Sequence, residues 1–228
     1  MTVPAVPDVL QVGPLALPTA PLALILGLAL WYSLSLRSAE RWKVDSALLE
    51  GLLNHLLVGV VAGAKLLEVA RSPASFLGSP RLLLSVPKGN LPLLGALVGA
   101  LLGAAIWATT GARGRGAVLP QALDAMAGPL AAGLAVADLG GGDARALPLF
   151  GGFLLAALAL EVLRRQTTFA GHTALAAVVL GGLVMVAADF FRPGPTVVAG
   201  ISLLQFIAAL AGVAAYAAAR WLEAKQGE

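Results

Sequence analysis

The chain has 228 residues, of which 59% are hydrophobic and 12% charged. The charged share is about half of the roughly 25% of a soluble globular domain, which argues against a water-soluble fold. It contains no cysteine, which excludes disulfides, thiolate catalysis and zinc–cysteine sites. The net charge of +3 comes from basic residues scattered between apolar segments, a pattern that argues against a nucleic-acid-binding surface.

Seven apolar segments follow one another along the chain, each near the length of about 20 residues that crosses a hydrocarbon core. Short loops rich in Gly, Pro and Ser separate them, and only residues 71–90 offer room for additional structure. We therefore predict an all-α integral membrane protein, a seven-transmembrane-helix bundle that forms one domain over residues 1–228. The predicted spans are 19–36, 47–70, 91–109, 119–139, 147–163, 169–191 and 197–219.

The distribution of basic residues between the loops predicts the orientation of the chain. Nine of the 15 lysines and arginines fall on the side that carries the C-terminus, and the tight basic clusters occur only there. We assign that side to the cytoplasm, which places the N-terminus outside. Because no basic region precedes the first apolar run, we expect the first span to be retained rather than removed as a signal peptide.

Five ionisable residues lie late in the second, fourth and sixth spans, where this topology brings them to the outer face. A charge at the bilayer centre costs at least about 2.5 kcal/mol, so we expect each of these residues to have a structural or functional role. Lys65 and Glu68 share a helix face and are predicted to pair, as are Asp189 and Arg192. With Asp138, these residues form a candidate ring for a lipid headgroup or a peptide carboxylate. The alternative is that each side chain extends separately to the interface.

Glycines recur at four-residue spacing on the second span, at Gly59 and Gly63, and on the third, at Gly95, Gly99 and Gly103. Small residues at this spacing let helix backbones approach closely, so we predict tight packing there. A phosphate-binding loop would need a following Lys and Ser or Thr, which the sequence lacks.

The two histidines, His55 and His172, have no partner at metal-ligand spacing, so we predict structural roles for them and neither a metal nor a cofactor. All four tryptophans and both tyrosines lie near predicted span ends, as in an interfacial aromatic belt. They are Trp31, Tyr32, Trp42, Trp107, Tyr216 and Trp221.

Several short motifs occur in a fixed order along the chain. Residues 12–17 read V-G-P-L-A-L, residues 63–66 read G-A-K-L and residues 188–192 read A-D-F-F-R. They resemble the motifs I-G-P-L-A-I, G-A-R-L and V-E-F-F-R of the bacterial prolipoprotein diacylglyceryl transferases, seven-span enzymes of the inner membrane. The glycine-rich third span and Leu204-Gln205, similar to the family's G-Q, extend the resemblance over most of the chain.

The resemblance implies transfer of a diacylglyceryl group from phosphatidylglycerol to the lipobox cysteine of a secreted precursor. It places the protein in the bacterial cytoplasmic membrane, with phosphatidylglycerol and a lipobox peptide or other extracytoplasmic protein as partners. It also implies that Lys65 and Arg192 contact the headgroup and that Asp189 orients them. The remaining substrate-binding candidates are Glu68, Asp138 and Gln205.

Four positions that the family uses for chemistry differ in this chain. The H-G-G-L motif proposed to supply a base reads L-G-A-L at residues 94–97, and leucine cannot accept a proton. The signature G-R-I-G-N-F reads A-D-L-G-G-G at residues 137–142, which replaces an arginine with Asp138. A further arginine reads Met185, and a tyrosine reads Ala20. These changes leave the catalytic residues unidentified.

The replaced positions predict weak or absent standard transferase activity. Each lost interaction with a developing charge costs about 10²-fold or more in rate. The alternative function is that of a non-catalytic relative that binds lipid or anchors a partner protein at the outer face. A transporter or channel is disfavoured because the spans show no matched broken helices.

Overall fold

The computed structural model describes residues 9–12, 15–73, 93–110, 115–141, 146–167, 169–189, 196–198 and 201–226. Within these ranges the chain forms seven α-helices: α1 (Thr19–Ala39), α2 (Ser46–Arg71), α3 (Leu93–Thr110), α4 (Arg115–Asp138), α5 (Ala146–Leu163), α6 (His172–Asp189) and α7 (Leu203–Gln226). Each overlaps one predicted span, so the predicted all-α class is confirmed.

Two short antiparallel hairpins were not predicted. Strand β1 (Val9–Val12) pairs with β2 (Leu15–Pro18) directly before α1, and β3 (Thr196–Val198) pairs with β4 (Ile201–Ser202) directly before α7. Strands of two to four residues inside an apolar run leave too little alternation to be recognised in a sequence. The hairpins therefore modify the approaches to two helices and leave the helical architecture unchanged.

Four of the described helical segments are long and apolar enough to cross a membrane: Thr19–Ala39, Ser46–Ala70, Ala146–Gln166 and Gln205–Ala224. Two more, Gly95–Thr110 and His172–Ala188, are apolar and shorter. Many large aliphatic side chains on these helices are exposed, among them Leu66, Leu101 and Leu155. Such a surface is unfavourable in water and is what a membrane helical bundle presents to lipid.

The chain divides into two compact units, and one of them comprises Val44–Leu119. Here α2 and α3 pack antiparallel along the predicted glycines. A Cβ atom on Gly99 would overlap the carbonyl oxygen of Gly59, and one on Gly63 would overlap that of Gly95. The predicted close packing is confirmed, because the two backbones approach so closely that no side chain fits between them.

The other unit comprises Met1–Lys43 and Pro120–Glu228. In it α1 packs antiparallel against α4 through a second pair of glycines, Gly27 and Gly133, whose added Cβ atoms would each meet the other's carbonyl oxygen. Helices α4, α5 and α6 share a core of Ala131, Ala156 and Leu160, and α7 packs along α6. Small residues thus set the helix spacing in this unit as well.

Candidate functional site

The predicted ion pair at the end of α2 is present. The Lys65 ammonium donates a hydrogen bond to Glu68 Oε2 at 3.0 Å, and the lysine side chain is only 15% exposed. The three-residue spacing puts both side chains on one helix face, within the last two turns of α2. A cation held this way, largely shielded and oriented by a carboxylate, is suited to contacting an anionic group.

Asp138 is the last residue of α4 and is partly buried. The segment that follows it packs on the first turns of α1, because a Cβ atom on Gly140 would lie 2.7 Å from Ala20 Cα. Antiparallel packing of α1 and α4 therefore places the end of α4, which carries Asp138, beside the N-terminal turns of α1. This is the end of the unit that the sequence predicts to face outward.

Asp189 ends α6, and Gln205 lies in the first turn of α7. These helices pack antiparallel, with Gly182 against the Ala208 carbonyl, so the two residues lie at the same end of the pair. Helices α4 and α6 begin beside each other and run in the same direction, which puts Asp138 at that end too. Arg192 lies outside the described residues, so its pairing with Asp189 stays a prediction.

The structure therefore brings Lys65 and Glu68 together within one unit and gathers Asp138, Asp189 and Gln205 at one end of the other. The convergence of both groups into one site stays a prediction. His55 agrees with its predicted structural role, since its Nδ1 lies 2.7 Å from the Gly51 carbonyl oxygen one turn earlier. Among the described residues, no three His, Cys, Asp or Glu side chains group as metal ligands.

An apolar groove of about 440 Å³ lies between α5 and α6. It extends from Pro148, at the start of α5, to Ala188, at the end of α6, and Leu155 and Leu183 line it. It therefore lies toward the same end of the unit as Asp138 and Asp189. Its lining is almost wholly aliphatic, which suits a hydrocarbon chain and excludes a polar ligand.

Asp124 is a buried carboxylate in α4 that the sequence interpretation did not single out. It is 1% exposed, and its two oxygens accept hydrogen bonds from the backbone N–H groups of Gly171 at 2.6 Å and Ala174 at 2.8 Å. It thereby caps the N-terminus of α6 from another helix. In the sequence, Asp124 could have been recognised as an isolated acidic residue inside an apolar span.

A polar cavity of about 290 Å³ lies in the same unit as Asp124, and Asp124 is one of the residues that line it. Its walls are formed by the end of α1 with the turn that follows, the middle of α4, the end of α5 and the start of α6. Asp124 and Asp138 are 14 residues apart on α4, so this cavity lies about 21 Å along the helix from the predicted outer site. Its polar lining residues are Arg37, Ser38, Arg41, Asp124, Glu161, Arg164 and Thr173.

Comparison with known families identifies a match. The family described as prolipoprotein diacylglyceryl transferase matches residues 7–141, which is more than half of the chain. The matched range contains Lys65, Glu68, Asp124 and Asp138, and it ends directly after the turn that packs on α1. No curated protein matches the chain.

Proposed function

Since this chain belongs to the prolipoprotein diacylglyceryl transferase family, we propose that it is a diacylglyceryl transferase-like membrane protein that binds phosphatidylglycerol and a prolipoprotein segment. It does so at the outer face of the bacterial cytoplasmic membrane. The observation that carries the proposal is the shielded Lys65–Glu68 pair. It stands in the G-A-K-L motif, inside the matched range, where the resemblance implies a headgroup contact.

The chemistry of the pair suits a phosphodiester. An ammonium presents a compact positive charge and three N–H donors, and lipid phosphate oxygens are acceptors for such donors. Glu68 fixes the position of the ammonium, and the low exposure of Lys65 strengthens its attraction for an anion. In the other unit, the apolar groove between α5 and α6 is suited to a hydrocarbon chain.

We further propose that standard transferase activity is weak or absent. The acidic Asp138 stands where the family signature has an arginine, and residue 94 is leucine where the proposed base is histidine. A carboxylate repels a developing negative charge, and leucine cannot accept the thiol proton. A protein that retains lipid and transfers nothing would be the non-catalytic lipid-binding or partner-anchoring relative.

Replacing Lys65 with methionine is expected to weaken phosphatidylglycerol retention about tenfold, since it removes one charge-assisted contact. Native mass spectrometry of the purified full-length chain measures retention. Lys43→Met, in the exposed turn after α1, is the matched control and should retain lipid normally. Equal loss in both variants, or in neither, would contradict the assignment of Lys65.

Transfer itself is measured on the unmodified chain with phosphatidylglycerol and a lipobox peptide, beside an active family member. We expect at least 100-fold less thioether product than from the active relative, in line with the replaced positions. Product at a comparable rate would show that the Asp138 and Leu94 substitutions do not impair catalysis. Lipid retention without product would identify the non-catalytic alternative.

We propose seven spans with the N-terminus outside and the C-terminus in the cytoplasm. Support comes from the seven helices, from the four that are long and apolar enough to span, and from the basic clusters at the ends of α1 and α5.

Because the chain lacks cysteine, single replacements report orientation directly. Ser46 and Ser72, both exposed, lie at the two ends of α2. In spheroplasts we expect an impermeant maleimide to label Ser72→Cys, and to label Ser46→Cys only after membrane disruption. The reverse pattern would overturn the orientation, and labelling of both from outside would show that α2 does not cross.

A further inference from the structure

The polar cavity near Asp124 is lined by neither Lys65 nor Glu68, the residues assigned to the diacylglyceryl donor, and the family resemblance gives it no role. We propose that it binds the phosphate group of an anionic phosphodiester. Three guanidinium groups line it, from Arg37 on α1, from Arg41 in the turn after α1 and from Arg164 after α5. Guanidinium is the side-chain group whose planar set of donors best matches phosphate oxygens.

One carboxylate arranges two of these arginines. Glu161 Oε1 accepts hydrogen bonds from Arg164 at 2.7 and 3.2 Å, and Arg41 lies 3.7 Å from the same oxygen. A half-exposed ion pair of this kind adds little stability, so its effect is mainly to hold both guanidinium groups at one rim of the cavity. The two guanidinium groups and the one carboxylate carry a net positive charge, and they are held in position before a ligand binds.

The third arginine and a buried hydroxyl complete the lining. Arg37 makes no ion pair or hydrogen bond with any residue that the structure describes, so its donors are available to a ligand. The Thr173 hydroxyl is buried, in a residue only 3% exposed, and has no hydrogen-bond partner within the described ranges. A buried hydroxyl without a partner costs free energy, and a ligand oxygen in the cavity would remove that cost.

The other carboxylate of the lining does not compete with a bound anion for donors. Asp124 is already satisfied by the backbone N–H groups that begin α6, and it faces them rather than an arginine. Below the charged rim the walls are apolar, with Leu34, Pro129 and Leu160 among them. A small anionic group attached to an apolar body therefore fits this combination.

The volume of the cavity restricts the class of ligand further. A cavity of about 290 Å³ is near the lower limit of the roughly 300–1,000 Å³ of small-molecule sites, which suits a small headgroup. Basic pockets between transmembrane helices on the cytoplasmic side bind anionic lipid headgroups. The shared chemistry is a phosphodiester, supplied either by a lipid of the inner leaflet or by a soluble glycerophosphodiester.

The test uses the full-length chain in detergent, in the Lys65→Met background, in which retention at the outer site is expected to be about tenfold weaker. Native mass spectrometry follows retention of phosphatidylglycerol, and thermal stability is measured with added lipid or glycerophosphoglycerol. Arg37→Gln with Arg164→Gln is expected to lower retention about 100-fold, at about tenfold for each lost charge-assisted contact. Thr173→Val should lower it several-fold without destabilising the lipid-free protein.

Arg220→Gln is the matched control, because Arg220 forms the same kind of three-residue ion pair, with Glu223, on α7 and outside the cavity. It should retain lipid as the unmodified protein does. If glycerophosphoglycerol stabilises the protein as much as the lipid does, the phosphodiester is assigned to a soluble source. Equal retention by the cavity variants and the control, or equal preference for a neutral diacylglycerol, would overturn the proposal.

Discussion

Gly99→Ala is expected to lower the free energy of unfolding by about 2 kcal/mol or more, although alanine is intrinsically the better helix former by about 1 kcal/mol. The new Cβ atom would overlap the carbonyl oxygen of Gly59, and Gly63 Cα would lie 3.0 Å from it. Neither neighbour is a flexible side chain, so the only relief is for α2 and α3 to separate. Such a separation removes the backbone contacts between the glycines of α2 and those of α3, which together form the glycine seam.

The measurement is an SDS or thermal unfolding transition of the purified protein. Gly151→Ala is the matched control, because a Cβ atom on Gly151 of α5 meets nothing within 4 Å. That variant should be unchanged or more stable. If Gly99→Ala unfolds at the same point as Gly151→Ala, then the close approach of α2 and α3 does not contribute to stability as argued.

Asp124→Ala is the second large effect, with an expected loss of about 2 kcal/mol. The change leaves the N–H groups of Gly171 and Ala174 without an acceptor inside the bundle. Hydrogen bonds between membrane helices contribute up to about 1.7 kcal/mol each, and this carboxylate accepts two. Faster hydrogen exchange in the first turn of α6 should accompany the loss.

Asp45 provides a comparison in which the chemistry is the same and the burial differs. Its carboxylate caps α2 by accepting from Ala47 N–H at 2.9 Å, in an exposed turn where water can replace it. Asp45→Ala should therefore cost only about 0.5–1 kcal/mol. Equal costs at the two positions would show that burial of the Asp124 cap adds nothing.

Local spacing was enough to predict much of this molecule. Helix positions followed from the lengths of apolar runs, and the Lys65–Glu68 pair followed from a three-residue separation on one helix. The glycine seam followed from four-residue repeats, which always fall on one face. In each case the prediction needed only geometry within a single helix.

Features that depend on the facing partner could not be predicted in this way. Trp31 and Trp107 lie near span ends and were assigned to an interfacial belt, yet they are 7% and 1% exposed. Trp107 is covered because Gly51 on the facing helix leaves room for its indole ring, whereas Trp221 and Tyr216 on α7 are exposed as expected. Distance from a span end does not reveal which face of a helix meets a neighbour.

The polar cavity was missed for a related reason. Its arginines were interpreted only as markers of orientation, because they flank separate spans in the sequence. Glu161 lies 120 residues after Arg41, and only the packed helices bring their side chains within 3.7 Å. The same applies to Asp124, whose hydrogen-bond donors are 47 and 50 residues away.

That separation has a consequence for biosynthesis. The ribosome completes α4 before it makes the residues that satisfy Asp124, so for that interval a bare carboxylate lies in a weakly apolar segment. Its transfer into lipid is unfavourable until the first turn of α6 has been synthesised. We therefore expect stable insertion of α4 to be completed only after translation has passed residue 174.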